Sequence, residues 1–303
     1  MRRILLLCWC LLTAAVINAQ ETFPVNGVAD NRYATYAFTN AMIVKDASSA
    51  PAPVTMLVKD GRILTIGNSV AIPSDAVIID CKGKFIYPSF IDVYADYGMP
   101  ALQRSPGGFN FNAPAQLTSN QKGAFGWNQA IRSDVNASHL FVTDDAKAKN
   151  YRESGFGAAL VHQRDGIARG SGVFVSLAGE KENKVILKER ASAHYSFNKG
   201  ISTQTYPSSM MGNIALLRQT YLDAAWYKTN PKAEGINLSL KYWNELQNLP
   251  QFFDAGDKWN VLRADRIGDE FGIQYIIKAG GNEYQRINEM KATNAWFILP
   301  LNF

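Results

Sequence analysis

From Thr35 to Asp80 the chain reads as short apolar runs separated by turn residues: Ala41 to Val44, Thr55 to Val58, Ile63 to Ile66, and Val77 to Ile79. Asp60-Gly61 stands between the second and third runs. Asp-Gly between β-branched stretches marks a two-residue hairpin, because both turn positions adopt positive φ at little cost. The pattern predicts a small all-β module over 35–84, assigned as 20–84 when counted from the end of the leader described below.

The texture changes after Asn136. Thr143 is placed to cap a helix running to Glu153, and Gly155 to Gly157 stop it before the apolar run Ala158 to Val161. Val173 to Leu177 and Val185 to Leu187 read as strands joined by the turn-rich Gly179 to Asn183. Ser208 or Ser209 caps a helix in which Met210, Ile214, Leu217 and Tyr221 recur at helical spacing, closed by Asn230-Pro231. A stripe of that kind is ordinarily core. The tail alternates: strand 251–254, helix 258–271, strand 274–278, helix 283–292, strand 296–299, with Asn282 and Gln285 spaced as a capping box.

Phe252, Gln274 and Trp296 recur every 22 residues, the length of one strand, a helix and a return. Repeated βα units build a parallel sheet or a (β/α)8 barrel, and ligands sit at the carboxyl ends of its strands. The expected fold class is therefore α/β: an incomplete TIM-type barrel of about six strands over 85–303, preceded by half of a small β-sandwich. The barrel region carries a long insertion, 98–136. Its 98–126 stretch is rich in Gly, Pro, Asn and Gln with Phe109, Phe111 and Phe125 interspersed and Trp127 directly after it, which suits a functional loop or a solvated insertion.

Residues 1–20 alter the account of charge and compartment. MRRILLLCWCLLTAAVINAQ has a positive start, an apolar run of about 14 residues from Ile4 to Ile17, and a small residue at Ala19. The run is shorter than the roughly 20 residues that span a bilayer, so 1–19 is predicted to be a signal peptide and the protein to be exported, periplasmic or extracellular. No transmembrane helix is expected after cleavage. Removing Arg2 and Arg3 with the leader leaves 29 basic against 26 acidic residues, a net +3 too dispersed to imply a nucleic-acid partner. Cys8 and Cys10 leave with it too, so Cys81 remains as one thiol and neither a disulfide framework nor a cysteine metal cluster is expected. A 47% apolar chain with 19% charged residues can still bury a sizeable core.

Candidate chemistry is sparse. The only histidines are His139, His162 and His194. Asp165 and Arg169, in the loop Arg164 to Gly172, are spaced to pair with each other. Gly166, Gly170 and Gly172 lack P-loop spacing, Ser171 is not in a Gly-x-Ser-x-Gly elbow, and Asp92 at a strand end suits a backbone cap.

Three stretches carry a resemblance. Residues 58–96 hold Gly83-Lys84, Pro88, Phe90, Ile91 and Asp92; ESGFGAALVHQRDGIARGSGVFVSL follows at 153–177; FDAGDKWNVLRADRIGDEFG at 253–272 precedes Ile-Ile-x-x-Gly-Gly-Asn-Glu-Tyr at 276–284. Together they resemble the amidohydrolase superfamily, in particular its imidazolonepropionase-like members, over most of the chain from about Thr35. The resemblance implies a metal-dependent hydrolase of non-peptide C–N bonds, in which a zinc-type divalent ion activates water. The family's His-x-His pair falls on Tyr94 and Asp96, a later histidine on Asp254, and another near Lys278 or Ala279. These positions make the metal motif degenerate, and no metal or other cofactor is expected for this chain. Asp96, His162, Asp254, Tyr94 and Lys278 are the candidate rim residues. Asp96, His162 and Asp254 are the one set that could be assembled into an ion site, with a single nitrogen donor. The expected function is an exported amidohydrolase-like protein, inactive alone, whose partner is a missing C-terminal half or a second catalytic domain. The alternative is a non-catalytic module binding a small molecule, peptide, glycan or partner domain, with Trp127 in a glycan-binding loop. Phe85 to Phe303 spans 219 residues, against roughly 250 for a closed eight-fold barrel, so the chain reads as the front portion of a two-part fold.

Overall fold

The computed structural model describes residues 34–103, 119, 121–232 and 235–300. The expected signal peptide, Phe109 and Phe111 lie outside the described residues. The chain divides into two compact units between Pro88 and Ser89.

The first unit is a five-stranded sheet ordered β3-β2-β1-β4, with β5 also on β1. Its strands are β1 Tyr36–Ile43, β2 Ala52–Lys59, β3 Arg62–Gly67, β4 Val77–Asp80 and β5 Phe85–Ile86. Asp60 and Gly61 take φ of 50° and 70°, so the β2–β3 hairpin turns on the two residues with the chemistry for it. Ala41, Ile43, Val54, Met56 and Cys81 form its core, and the Cys81 thiol is packed inside.

The second unit holds a seven-stranded sheet ordered β12-β11-β10-β9-β8-β7-β6. Its strands are β6 Phe90–Ala95, β7 Phe156–Val161, β8 Ala168–Ser176, β9 Ile186–Ser196, β10 Gln251–Asp254, β11 Tyr275–Lys278 and β12 Trp296–Ile298. The helices are α1 Ala137–Leu140, α2 Asp145–Glu153, α3 Glu182–Val185, α4 Met210–Thr229, α5 Leu238–Leu246, α6 Lys258–Phe271 and α7 Ile287–Ala292, the last preceded by a 3-10 turn, Glu283–Arg286. Six strands run parallel to one another. β8 is antiparallel to both β7 and β9, which corrects the expectation of an all-parallel set of about six. Pairing is not at the 22-residue interval either: Phe252 lies beside Ile276 and Ile276 beside Trp296, offsets of 24 and 20 residues.

Several local expectations are corrected by hydrogen bonding. Asp144, not Thr143, caps α2, its Oδ1 accepting from the Lys147 N–H at 3.0 Å, while the Thr143 hydroxyl donates to Glu182 Oε1 at 2.9 Å. The capping box is not formed. Asn282 Oδ1 accepts from the Lys258 N–H at 3.0 Å, and Glu283 accepts from Gly280 and Gly281 at 2.7 and 2.8 Å. Ser209 caps α4 as read, and Leu217 and Tyr221 of its stripe are buried.

The main core lies between one face of the sheet (Ala193, Tyr195, Phe253, Tyr275, Ile277) and α4, α5 and α6, which contribute Leu217, Tyr221, Trp243, Leu246, Val261 and Ile267. The opposite face is curled. In a flat sheet β6 and β10 would stand about 19 Å apart, four strand spacings. Yet Arg169 Nη1 bonds both Tyr94 Oη of β6 and Asp254 Oδ2 of β10. Curling brings the carboxyl ends of the parallel strands around one interior.

Candidate functional site

The rim is assembled by register. Asp254 is paired with Ser196 on one side and Lys278 on the other, so three strand ends stop on one level. Tyr94 comes from the end of β6, and His162 follows directly after β7. Because β8 runs the other way, its beginning, not its end, reaches this rim, and that places Arg169 inside it.

Arg169 is the hub. Its side chain is 6% exposed, and Nη1 donates to Tyr94 Oη at 2.8 Å and to Asp254 Oδ2 at 3.1 Å. Lys278 Nζ faces the other Asp254 oxygen at 3.6 Å. Burial pushes the Asp254 carboxyl up, but Arg169, the Tyr94 hydroxyl and Lys278 outweigh it and hold the group below the ordinary carboxylate value. Burial raises the Tyr94 hydroxyl well above its ordinary value, with Arg169 opposing, so it stays a neutral donor and acceptor.

Behind Tyr94 lie two stacked imidazoles. His162 and His194 have ring centroids 3.7 Å apart and planes 4° from parallel, with Tyr94 edge-on to His162 at 4.7 Å and Phe252 against His194 at 5.0 Å. Both are buried, and burial drives each well below the ordinary histidine value, so both are neutral. Ser192 Oγ is 2.8 Å from His194 Nε2. Neither His162 nitrogen, nor His194 Nδ1, has a hydrogen-bond partner.

Asp96 stands apart from this cluster's centre. It is 59% exposed and lies 3.3 Å from Arg164 Nη1, whose other amine donates to the Tyr94 carbonyl at 3.0 Å. The structure thus brings Tyr94, Asp254 and Lys278 together, sets His162 behind them, and leaves Asp96 outside with Arg164. Asp165 does not pair with Arg169: its carboxylate is engaged by Arg132 and by the Ile201 N–H at 2.8 Å. Gly166 and Gly170 admit backbone, and Gly172 admits the Ser192 and His194 side chains, so none of the three cradles a phosphate. A Cβ on Gly166 would come within 2.7 Å of the Ala130 carbonyl and one on Gly170 within 2.9 Å of the Arg132 carbonyl, since residues 130–136 lie against this strand. Ser171 Oγ bonds Asn136 Oδ1 at 3.1 Å and Asp92 accepts from the Tyr94 N–H at 3.0 Å. Trp127 stacks on Tyr206, with ring centroids 6.1 Å apart.

A divalent ion does not fit these residues. Each Asp254 oxygen is faced by a cationic side chain, and the lone pairs of two near-parallel stacked imidazoles lie in separate planes and cannot converge on one ion. Among the described residues no three His, Cys, Asp or Glu side chains are grouped to hold one.

No family model matches the chain, and no curated protein matches it. Among solved structures, an amidohydrolase from Thermotoga maritima MSB8 aligns with a TM-score of 0.68 over 88% of this chain and 70% of that one, at 19% identity. The fold is similar to that of this amidohydrolase. At this identity the likeness concerns the amidohydrolase fold alone. A dihydroorotase (13% identity, 88% and 64% coverage, TM-score 0.33) and an N-acyl-D-glutamate deacylase from Bordetella bronchiseptica (14%, 87% and 57%, TM-score 0.34) also align, too loosely to bear on the site.

Arg169 and His194 are the rim residues that sequence reasoning missed. The available signal for His194 was the alternation Ser192-x-His194-x-Ser196, an inward-facing polar row on β9. For Arg169 it was the run Ala168 to Ser176, which is strand throughout and so begins at the rim.

Proposed function

We propose that this chain forms the incomplete barrel of an exported, amidohydrolase-like protein of the metal-dependent hydrolase family acting on non-peptide C–N bonds, and that this portion is not itself the metal-bearing catalyst. The observation that carries the reading is the Arg169–Asp254–Lys278 arrangement, in which cationic side chains take the positions around a carboxylate that an ion would need. Water activation at this rim then has no ion to lower the pKa of water, and the neutral, buried histidines have no solvent-borne proton to take. Hydrolysis in such a protein falls to a second, histidine-bearing domain. The leader pattern at 1–19 supports export; no helix among the described residues is long and apolar enough to cross a membrane.

The test is elemental analysis of the purified chain after dialysis against zinc, manganese and iron in turn. Well under one ion per chain is expected. About one ion per chain, lost on Asp96→Ala or Asp254→Ala, would overturn the reading. A second reading, a non-catalytic binding module, is favoured by Arg164 and Lys278, whose half-exposed charges both stand over Tyr94.

A further inference from the structure

α4 is apolar on two opposite sides, and the fold uses one of them. Leu217, Tyr221 and Ala224 turn into the main core. At 3.6 residues per turn, Met211, Ala215, Leu222 and Trp226 fall on the far side, within about 60° of one another. All four are exposed, Met211 to 79%, Leu222 to 57% and Trp226 to 44%. A helix that is apolar all round is ordinarily covered all round, yet this stripe lies open to solvent.

The order of residues along the stripe identifies what covers it. They are spaced by four, seven and four positions, the same from either end. A second α4 laid antiparallel therefore sets Met211 against Trp226 of the second copy and Ala215 against its Leu222, and the reciprocal contacts repeat both pairings. Large side chain meets small, and a flexible thioether meets an indole, a contact that sulfur favours. The two-fold axis of such a pair passes between Arg218 and Gln219. Arg218 is drawn to one flank of the stripe by Glu270, its Nε and Nη2 donating to Oε1 at 3.0 and 2.6 Å. A two-fold axis brings the same flank of both helices together, so the two Arg218–Glu270 pairs lie side by side. Each guanidinium then faces the carboxylate of the other copy as well as its own, and the charges alternate in sign around the axis.

We propose that the outer stripe of α4 is the contact through which two copies of this chain form a two-fold dimer, helix against antiparallel helix. The contact is isologous and closes on itself, and it is independent of whether the rim holds an ion. A helix of 20 residues is about 30 Å long, so the interface stands at the small end of specific protein contacts, and assembly is expected to be reversible and concentration-dependent.

The test is sedimentation velocity of the full chain over about a hundredfold range of concentration reaching the high micromolar. A reversible monomer–dimer equilibrium is expected, weakened at least about tenfold by Leu222→Glu, which buries a charge in the contact. Arg218→Glu and Glu270→Arg each place four like charges around the axis, and each variant alone is expected to stay monomeric; mixing the two restores alternating signs and is expected to give a heterodimer. That rescue would not follow if either substitution merely damaged the fold. A chain that is monomeric at every concentration, a dimer that Leu222→Glu leaves intact, or a mixture that fails to assemble overturns the proposal. Co-sedimentation of the monomeric chain with phosphatidylcholine vesicles, lost in Leu222→Glu, would give the stripe a lipid surface in place of a second copy and likewise overturn it.

Discussion

A buried guanidinium keeps its charge, so the stability of this rim depends on the groups that face Arg169. Replacing Asp254 with Ala leaves that cation, 6% exposed, without its carboxylate. The expected cost is about 3 to 5 kcal/mol in urea unfolding, whereas Asp96→Ala, at an exposed pair, should cost under about 1 kcal/mol. The imidazole stack sets a pH dependence. Both folded-state values are depressed by burial, so the unfolded chain binds protons below about pH 6.5 that the folded chain does not. The stability these neutral rings contribute is present above that pH and lost as pH falls through it, by on the order of 1 kcal/mol per pH unit for each ring. Chemical denaturation at pH 7.5, 6 and 5 should show the loss, and His162→Phe with His194→Phe should flatten it. Tyr94, Asp254 and Lys278 were legible as rim residues because their positions follow from strand ends and a family motif. Arg169 was not, since its nearest acidic neighbour in sequence, Asp165, is taken by Arg132 across the fold.

At the scale of elements, the tail from Gln251 to Ala292 was legible almost to the residue: apolar strands, a Gly272 C-cap with φ of 68°, and an amphipathic α6 all obey local rules. Asp257 caps α6 through the N–H groups of Trp259 and Asn260 at 2.8 and 3.1 Å, so Asp257→Ala should cost about 1 kcal/mol, read by thermal or urea unfolding. β9 was legible only at its first residues. Its inward row is Ser192, His194 and Ser196 and its outer stretch holds Lys188, Glu189 and Arg190, so hydrophobic alternation, the signal by which strands are recognised, is missing. α5, with Trp243 and Leu246 buried, went unread because a nine-residue helix after a turn-rich segment offers few periods to detect.

For the whole molecule, the mixed α/β class was legible, because repeated βα units follow from patterning alone. The direction of β8 was not. An apolar run has the same texture whichever way it lies in a sheet, and its direction depends on how the chain returns from β7, which is tertiary information. That reversal also makes the two ends of the sheet unequal for protein engineering. β8 starts among the rim residues and finishes at the far side, so the connection from Ala178 to α3 opens away from Arg169, and Ala178 and Gly179 are both exposed. A short peptide tag or dye-acceptor sequence inserted between Ala178 and Gly179 should therefore leave the melting temperature unchanged within error, giving a handle for immobilising the protein through the end of β8 remote from Arg169.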